Sequence, residues 1–126
     1  MTKRVIGVKD IPAAGPYSQA VEAGGFVFCS GQIPIDPRTG CLVESGIGEA
    51  TRQVMNNLAA VLGEAGLSLQ DVVKTTIYLV NLDDFAVVNE IYGSFFDGAF
   101  PARSTVQVAA LPKGAPIELD AVAVRP

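Results

Sequence analysis

Residues 49–80 read EATRQVMNNLAAVLGEAGLSLQDVVKTTIYLV, and a change of period inside this stretch decides the fold. In its first half Val54, Leu58, Val61, Leu62 and Ala65 recur at three- and four-residue spacing, which gathers them on one side of a helix with polar residues opposite. Gly66 follows at once, the residue type that most readily closes a helix in a left-handed conformation. In the second half the period drops to two: Val73, Thr75, Ile77 and Leu79 alternate with Lys74, Thr76 and Tyr78 until Asn81 ends the run. The spacing predicts a helix over 49–65 packed on a sheet that contains a strand over 72–80.

Outward from this stretch, strand patterns cover 4–8, 17–22 and 25–31. The last contains Phe26-Val27-Phe28-Cys29, with aromatics on alternate positions, and Gly24-Gly25 supplies the preceding turn. Downstream, Phe85, Val88, Tyr92, Phe95 and Phe96 form the stripe of a second helix, with Asn81 or Asp83 as its cap. Two final strands, over 104–110 and 117–124, flank Leu111-Pro112-Lys113-Gly114-Ala115-Pro116, whose glycine and prolines mark a tight connection. The expected order is β-β-β-α-β-α-β-β. A strand, helix, strand step crosses over right-handedly, so both helices are expected on one face of a single mixed sheet, an α+β fold. That leaves the other face bare. At 126 residues the chain is read as a single domain, 1–126.

Composition narrows the function classes. Apolar residues make up 49% and charged residues only 17%, so part of the apolar surface is expected to meet another subunit. A net charge of −4 gives no electrostatic footprint for a phosphate backbone, and nucleic acid is not expected as the main partner. No run of about 18 apolar residues exists, and Lys9 and Asp10 interrupt the start before a signal peptide could form, so no membrane partner is expected. Cys29 and Cys41 read as free thiols of a reducing, cytoplasmic compartment. The sequence has no histidine, which removes the usual general base, the histidine-dependent nucleophile systems and most zinc or iron sites. Gly46-Ile47-Gly48 lacks the rest of any phosphate-cradling pattern. Neither a metal nor an organic cofactor is expected.

Some residues fit the predicted fold poorly. Glu118 and Asp120 share a strand face with Val122 and Val124, and a buried carboxylate needs a partner. If the tight connection pairs the last two strands antiparallel, Arg103 lies near that strand but well past Glu118; an exposed edge arginine and an exposed acid account for the pattern equally well. Tyr17, after Gly15-Pro16, either stacks on a ligand or is a half-buried strand tyrosine. At Ser30-Gly31-Gln32 the glycine either admits a ligand to the backbone or marks a bulge. Asn89 and Glu90 read as solvated helix positions. Cys41, with Arg38 as its only basic neighbour, reads as unreactive.

Four ordered segments share a family likeness: Gly15-Pro16-Tyr17-Ser18-Gln19-Ala20; Ser30-Gly31-Gln32-Ile33-Pro34 with Asp36-Pro37 and Gly40; Pro101-Ala102-Arg103-Ser104; and Ile117-Glu118-Leu119. Nearly end to end, the chain resembles the reactive intermediate deaminase family, RidA or YjgF. The resemblance implies a chorismate-mutase-like α+β subunit and a homotrimer whose sheets form a central barrel, with active-site clefts between subunits. It also implies hydrolysis of imines and enamines of 2-keto acids, such as 2-aminoacrylate, 2-iminopropanoate and 2-iminobutanoate, to the keto acid and ammonia, which protects pyridoxal-phosphate enzymes. Carried over by the same resemblance, Arg103 binds the substrate carboxylate, Tyr17 lines the cleft, Ser30 and Gly31 contact the substrate, and Glu118 activates water. The backbone near Thr105 helps to order that water, and Asn89 also faces the cleft. Thr105 departs from the family, many of whose members carry cysteine there. A non-catalytic binding module for keto acids, an endoribonuclease and a chaperone-like protein are the other classes that the resemblance leaves open.

Overall fold

The computed structural model describes residues 2–9, 11, 13 and 15–126. Along these the chain forms β1 (Arg4–Ile6), β2 (Ala20–Ala23), β3 (Phe26–Gln32), β4 (Ile35–Asp36), β5 (Cys41–Leu42), α1 (Ile47–Glu64), β6 (Val72–Leu79), α2 (Phe85–Ser94), β7 (Ala102–Gln107) and β8 (Ile117–Val124). Strands β4 and β5 pair as a small separate ribbon; at two residues each they are too short to show a period in the sequence. The other six make one sheet in the order β1-β2-β3-β8-β6-β7, antiparallel throughout except for the parallel pair β6–β7.

This order corrects the expected pairing of the last two strands. Although β7 and β8 are consecutive, β6 lies between them. The physical reason is burial: Ile117, Leu119, Ala121 and Ala123 of β8 lie under the helices, which suits a central strand with neighbours on both sides. In contrast, β7 has no fully buried residue and tolerates the edge. The connection between them turns through a 3₁₀ segment, Pro112–Gly114, in which Lys113 takes a left-handed φ of 59°.

Both helices pack on one face. From α1, Val54, Met55, Leu58, Val61 and Leu62 are fully buried, together with Val27, Ile77, Leu79, Ile117 and Leu119 of the sheet. Each such side chain stabilises the fold by roughly 1.5–3 kcal/mol. Helix α1 ends where the glycine predicts: Gly66 has φ +74°, and the Leu67 N–H returns to the Leu62 carbonyl at 2.9 Å. Arg125 ties this end down, donating to the Ala65 carbonyl at 2.6 Å and, through two nitrogens, to the Glu22 carboxylate at 2.6 and 2.8 Å. At the middle of α1 the buried Asn57 donates to the carbonyls of Ile33 and Ile35 at 3.3 and 2.9 Å, which anchors the chain just past Ser30-Gly31. Asn81 caps the 3₁₀ turn that leads into α2, accepting from the Asp83 N–H at 3.0 Å.

The opposite face is bare, as expected. At one end it carries Val5, Val21, Phe26, Phe28, Val122 and Val124; Phe26 is 43% exposed and Phe28 47%. At the other end stand Thr76, Tyr78, Glu118 and Asp120.

Candidate active site

The residues singled out in the sequence divide into two groups, one on each face of the sheet. Arg103 lies inside β7 rather than before it, opposite Thr75 of β6, on the helix-covered side and beneath α2. Phe85, Asn89 and Tyr92 recur at i, i+4 and i+7 along α2 and so share the face that looks onto it. The Arg103 Cζ stands 5.2 Å from the Tyr92 ring centroid and 5.5 Å from that of Phe85. A cavity of about 310 Å³ opens here, lined by Asn89, Tyr92, Gly93, Phe100, Pro101 and Arg103. The Tyr92 and Thr75 hydroxyls share a buried 2.8 Å hydrogen bond. Burial pushes the Tyr92 phenol above its ordinary range, so the ring stays neutral.

What distinguishes Arg103 is its lack of a carboxylate. Arg4 and Arg125 pair with Glu22, Arg38 with Asp36, and Arg52 with Glu49, at 2.6 to 3.7 Å. Among the described residues Arg103 has no such partner. Nearby, Asn89 Oδ1 and, two residues along β7 on the same face, Thr105 Oγ1 are buried without a hydrogen-bond partner among the described residues. Buried polar atoms are rarely left unmatched, and an unpaired guanidinium is the donor set that grips a carboxylate with two parallel bonds. The pocket thus sets a guanidinium without a carboxylate partner beside two unmatched polar oxygens, among the described residues.

The second group gathers around Glu118, which lies on the bare face. The pairing of β3 with β8 shifts register between Cys29 and Gln32, so Ser30-Gly31 is a bulge. It is also a close approach: a Cβ placed on Gly31 would stand 2.7 Å from Glu118 Cδ and 3.0 Å from its Cγ, so any larger residue here displaces the carboxylate from this position. The bulge is held by Ser30, whose Oγ donates to the Ser18 carbonyl at 2.6 Å, and by Gln32, which donates to Gln19 Oε1 at 3.1 Å. Gln19 in turn donates to the Ile11 carbonyl. Tyr17 is not a strand residue, because β2 begins only at Ala20; it is 48% exposed in the bend before β2, and its side of that bend borders a crevice shared with Gly31.

Glu118 and Asp120 divide the labour predicted for a buried acid. Asp120 has its partner, the Tyr78 hydroxyl, which donates at 2.9 Å. Glu118, half-buried, has its pKa pushed up by burial first and by the Asp120 charge second. A carboxyl raised in this way holds its proton more tightly than an exposed glutamate does. Burial, with a smaller contribution from Asp120, also pushes the Cys29 thiol up to about 12, which makes it inert.

Arg103, Thr105 and Asn89 thus come together, as do Tyr17, Ser30, Gly31 and Glu118, but one chain does not join the two sets. Arg103 and Glu118 lie on opposite faces, with β6 between Arg103 on β7 and Glu118 on β8. Phe85, Tyr92 and Thr75 were not foreseen as site residues, since their apolar and alternating spacing reads as core. The polar Asn89 between Phe85 and Tyr92 on the same helix face was the available signal.

Among the described residues no three metal-ligating side chains gather, and no helix is long and apolar enough to cross a membrane. Residues 8–125 match the family described as Endoribonuclease L-PSP. A RutC family protein of Pyrococcus abyssi is 50% identical over 126 residues, spanning 99% of both chains. The human 2-iminobutanoate/2-iminopropanoate deaminase is 47% identical over 126 residues, 99% of this chain and 92% of that one. The crystal structure of E. coli TdcF with bound serine superposes with a TM-score of 0.92 at 42% identity, covering 98% of this chain and 99% of that one. On this match across almost its whole length, the chain belongs to the endoribonuclease L-PSP family, that is, the RidA/YjgF family.

Proposed function

We propose that the protein hydrolyses imines of small 2-keto acids, 2-iminopropanoate and 2-iminobutanoate, to the keto acid and ammonia, and so protects pyridoxal-phosphate enzymes in the cytoplasm. The observation that carries this reading is the Arg103 guanidinium, which has no carboxylate partner among the described residues and is set between Phe85 and Tyr92 at the wall of a small cavity. Support comes from the name of the human relative and from the serine bound to TdcF, a small molecule with both a carboxylate and a nitrogen on the adjoining carbon.

In the proposed reaction Arg103 holds the substrate carboxylate, and Glu118 takes a proton from water as its oxygen adds to the iminium carbon. The same carboxyl returns that proton to nitrogen; as the C–N bond breaks and the carbinol oxygen collapses to the ketone, Glu118 takes the O–H proton, which leaves with ammonia as ammonium. An enamine such as 2-aminoacrylate first takes a proton from solvent on its terminal carbon, which gives the iminium. An iminium carbon is already electrophilic, so orientation and one proton shuttle suffice without a cofactor.

Because Arg103 and Glu118 occupy opposite faces of one chain, the reaction needs a second copy. In the proposed homotrimer the bare faces pack as a central barrel, and the Arg103 set of one subunit meets the Tyr17, Ser30, Gly31 and Glu118 set of the next. The apolar, exposed Phe26 and Phe28 suit such an interface. Cleavage of RNA is the weaker reading: the chain carries a net charge of −4 and lacks histidine.

Imines generated in situ by an amino-acid oxidase test the proposal, with ammonia release as the readout. Arg103→Ala is expected to lose at least ~100-fold in kcat/KM, about 2.7 kcal/mol of transition-state binding. Equal rates in the two proteins would remove Arg103 from the site. Absence of turnover with retained keto-acid binding would make the protein a binding module instead.

A further inference from the structure

The orientation of Arg103 has a structural cause that the proposed reaction does not itself require. An arginine without a carboxylate partner samples several rotamers, and those lost on binding weaken the complex. A salt bridge would remove that freedom but would occupy the donors needed for substrate. Aromatic faces attract the guanidinium while leaving its N–H edge open.

Of the two rings beside Arg103, that of Tyr92 is fixed. Tyr92 is 4% exposed, against 39% for Phe85, and its ring packs on Phe96 with centroids 5.0 Å apart. Its hydroxyl is held by Thr75 at 2.8 Å, and Thr75 is the residue opposite Arg103 in the β6–β7 register. One side chain therefore links the backbone that carries Arg103 to the ring that flanks its head group. We infer that Tyr92 is a positioning residue: its ring face orients the Arg103 fork toward the incoming carboxylate, and the Thr75 hydroxyl holds the ring in place. The inference rests on the proposed role of Arg103 and adds the device that keeps it ready.

Calorimetric titration of the full chain with 2-oxobutanoate tests this, with KM and kcat measured separately on the imine. In Tyr92→Leu, Kd and KM are expected to rise ~10-fold, about 1.4 kcal/mol, with kcat changed less than about twofold. Tyr92→Phe restores the ring, and Thr75→Val removes only the tether; each is expected to weaken binding by about threefold. A folded Tyr92→Leu protein with native Kd overturns the inference and leaves the proposed function standing. Should Tyr92→Leu fail to fold, unchanged Kd in both conservative variants overturns it. Keto-acid binding without turnover by the native protein overturns the deaminase reading alone, and no binding overturns both.

Discussion

Beneath α2, Arg103 is walled in by Phe85 and Tyr92, whereas on the far side of the sheet Glu118 lies over the Gly31 backbone beside Asp120. The two environments suit different tasks. A guanidinium keeps its charge even when partly buried, so enclosure among rings leaves its affinity for a carboxylate intact. A carboxyl responds to the same burial by holding its proton more tightly, and Glu118 is displaced upward for that reason. In the proposed reaction one face holds the substrate and the other moves a proton.

The most drastic way to break this comparison is to keep the two faces of different copies apart. Phe28→Glu places a charge in the apolar end of the bare face at a side chain that is 47% exposed and outside the buried core of the single chain. It is expected to leave a folded monomer of 13.1 kDa by light scattering, with imine hydrolysis abolished. A trimeric, active Phe28→Glu protein would place the interface elsewhere.

Next in size is the loss of the proton shuttle. Glu118→Gln is expected to lower kcat by ~10²- to 10⁴-fold while keto-acid affinity, which belongs to the other face, stays within a few-fold. In the native protein kcat should fall as the pH drops through a point above the ordinary glutamate range, because the protonated carboxyl cannot accept from water. A limb at the ordinary glutamate value would contradict the effect of burial.

The smallest effect sharpens the comparison. Gly31→Ala brings a methyl group against Glu118, whose carboxylate is mobile enough to yield, so stability should change little. Misplacing the group is expected to cost kcat up to ~10²-fold. An equal loss in carboxylate affinity would show that the two faces do not act separately.

Much of this arrangement was legible in the chain. The helix over 49–65 emerges as Ile47–Glu64, its end set by Gly66, and the strand over 117–124 matches to the residue. These elements rest on local periodicity, which needs no tertiary context. The first strands fared less well: the pattern over 17–22 narrows to Ala20–Ala23, because Tyr17 lies in a bend. Likewise the strand expected over 104–110 starts at Ala102, which takes Arg103 into the sheet. Edge strands have little burial to sharpen their pattern, and their limits are set by the neighbour they pair with.

By itself the sequence determined which segments alternate and which wind, that both helices share a face, and that Arg103, Glu118, Gly31 and Tyr17 stand out from the packing pattern. Those properties depend on the side chains of each segment and on the handedness of the chain. Only the tertiary structure decided that β8 enters between β3 and β6, that Glu118 leans on Gly31, and that Arg103 meets Tyr92 instead of an acid. Strand order and cross-strand contacts depend on residues far apart in the chain. No local spacing encodes them, so the opposition of the two faces could be read only after folding.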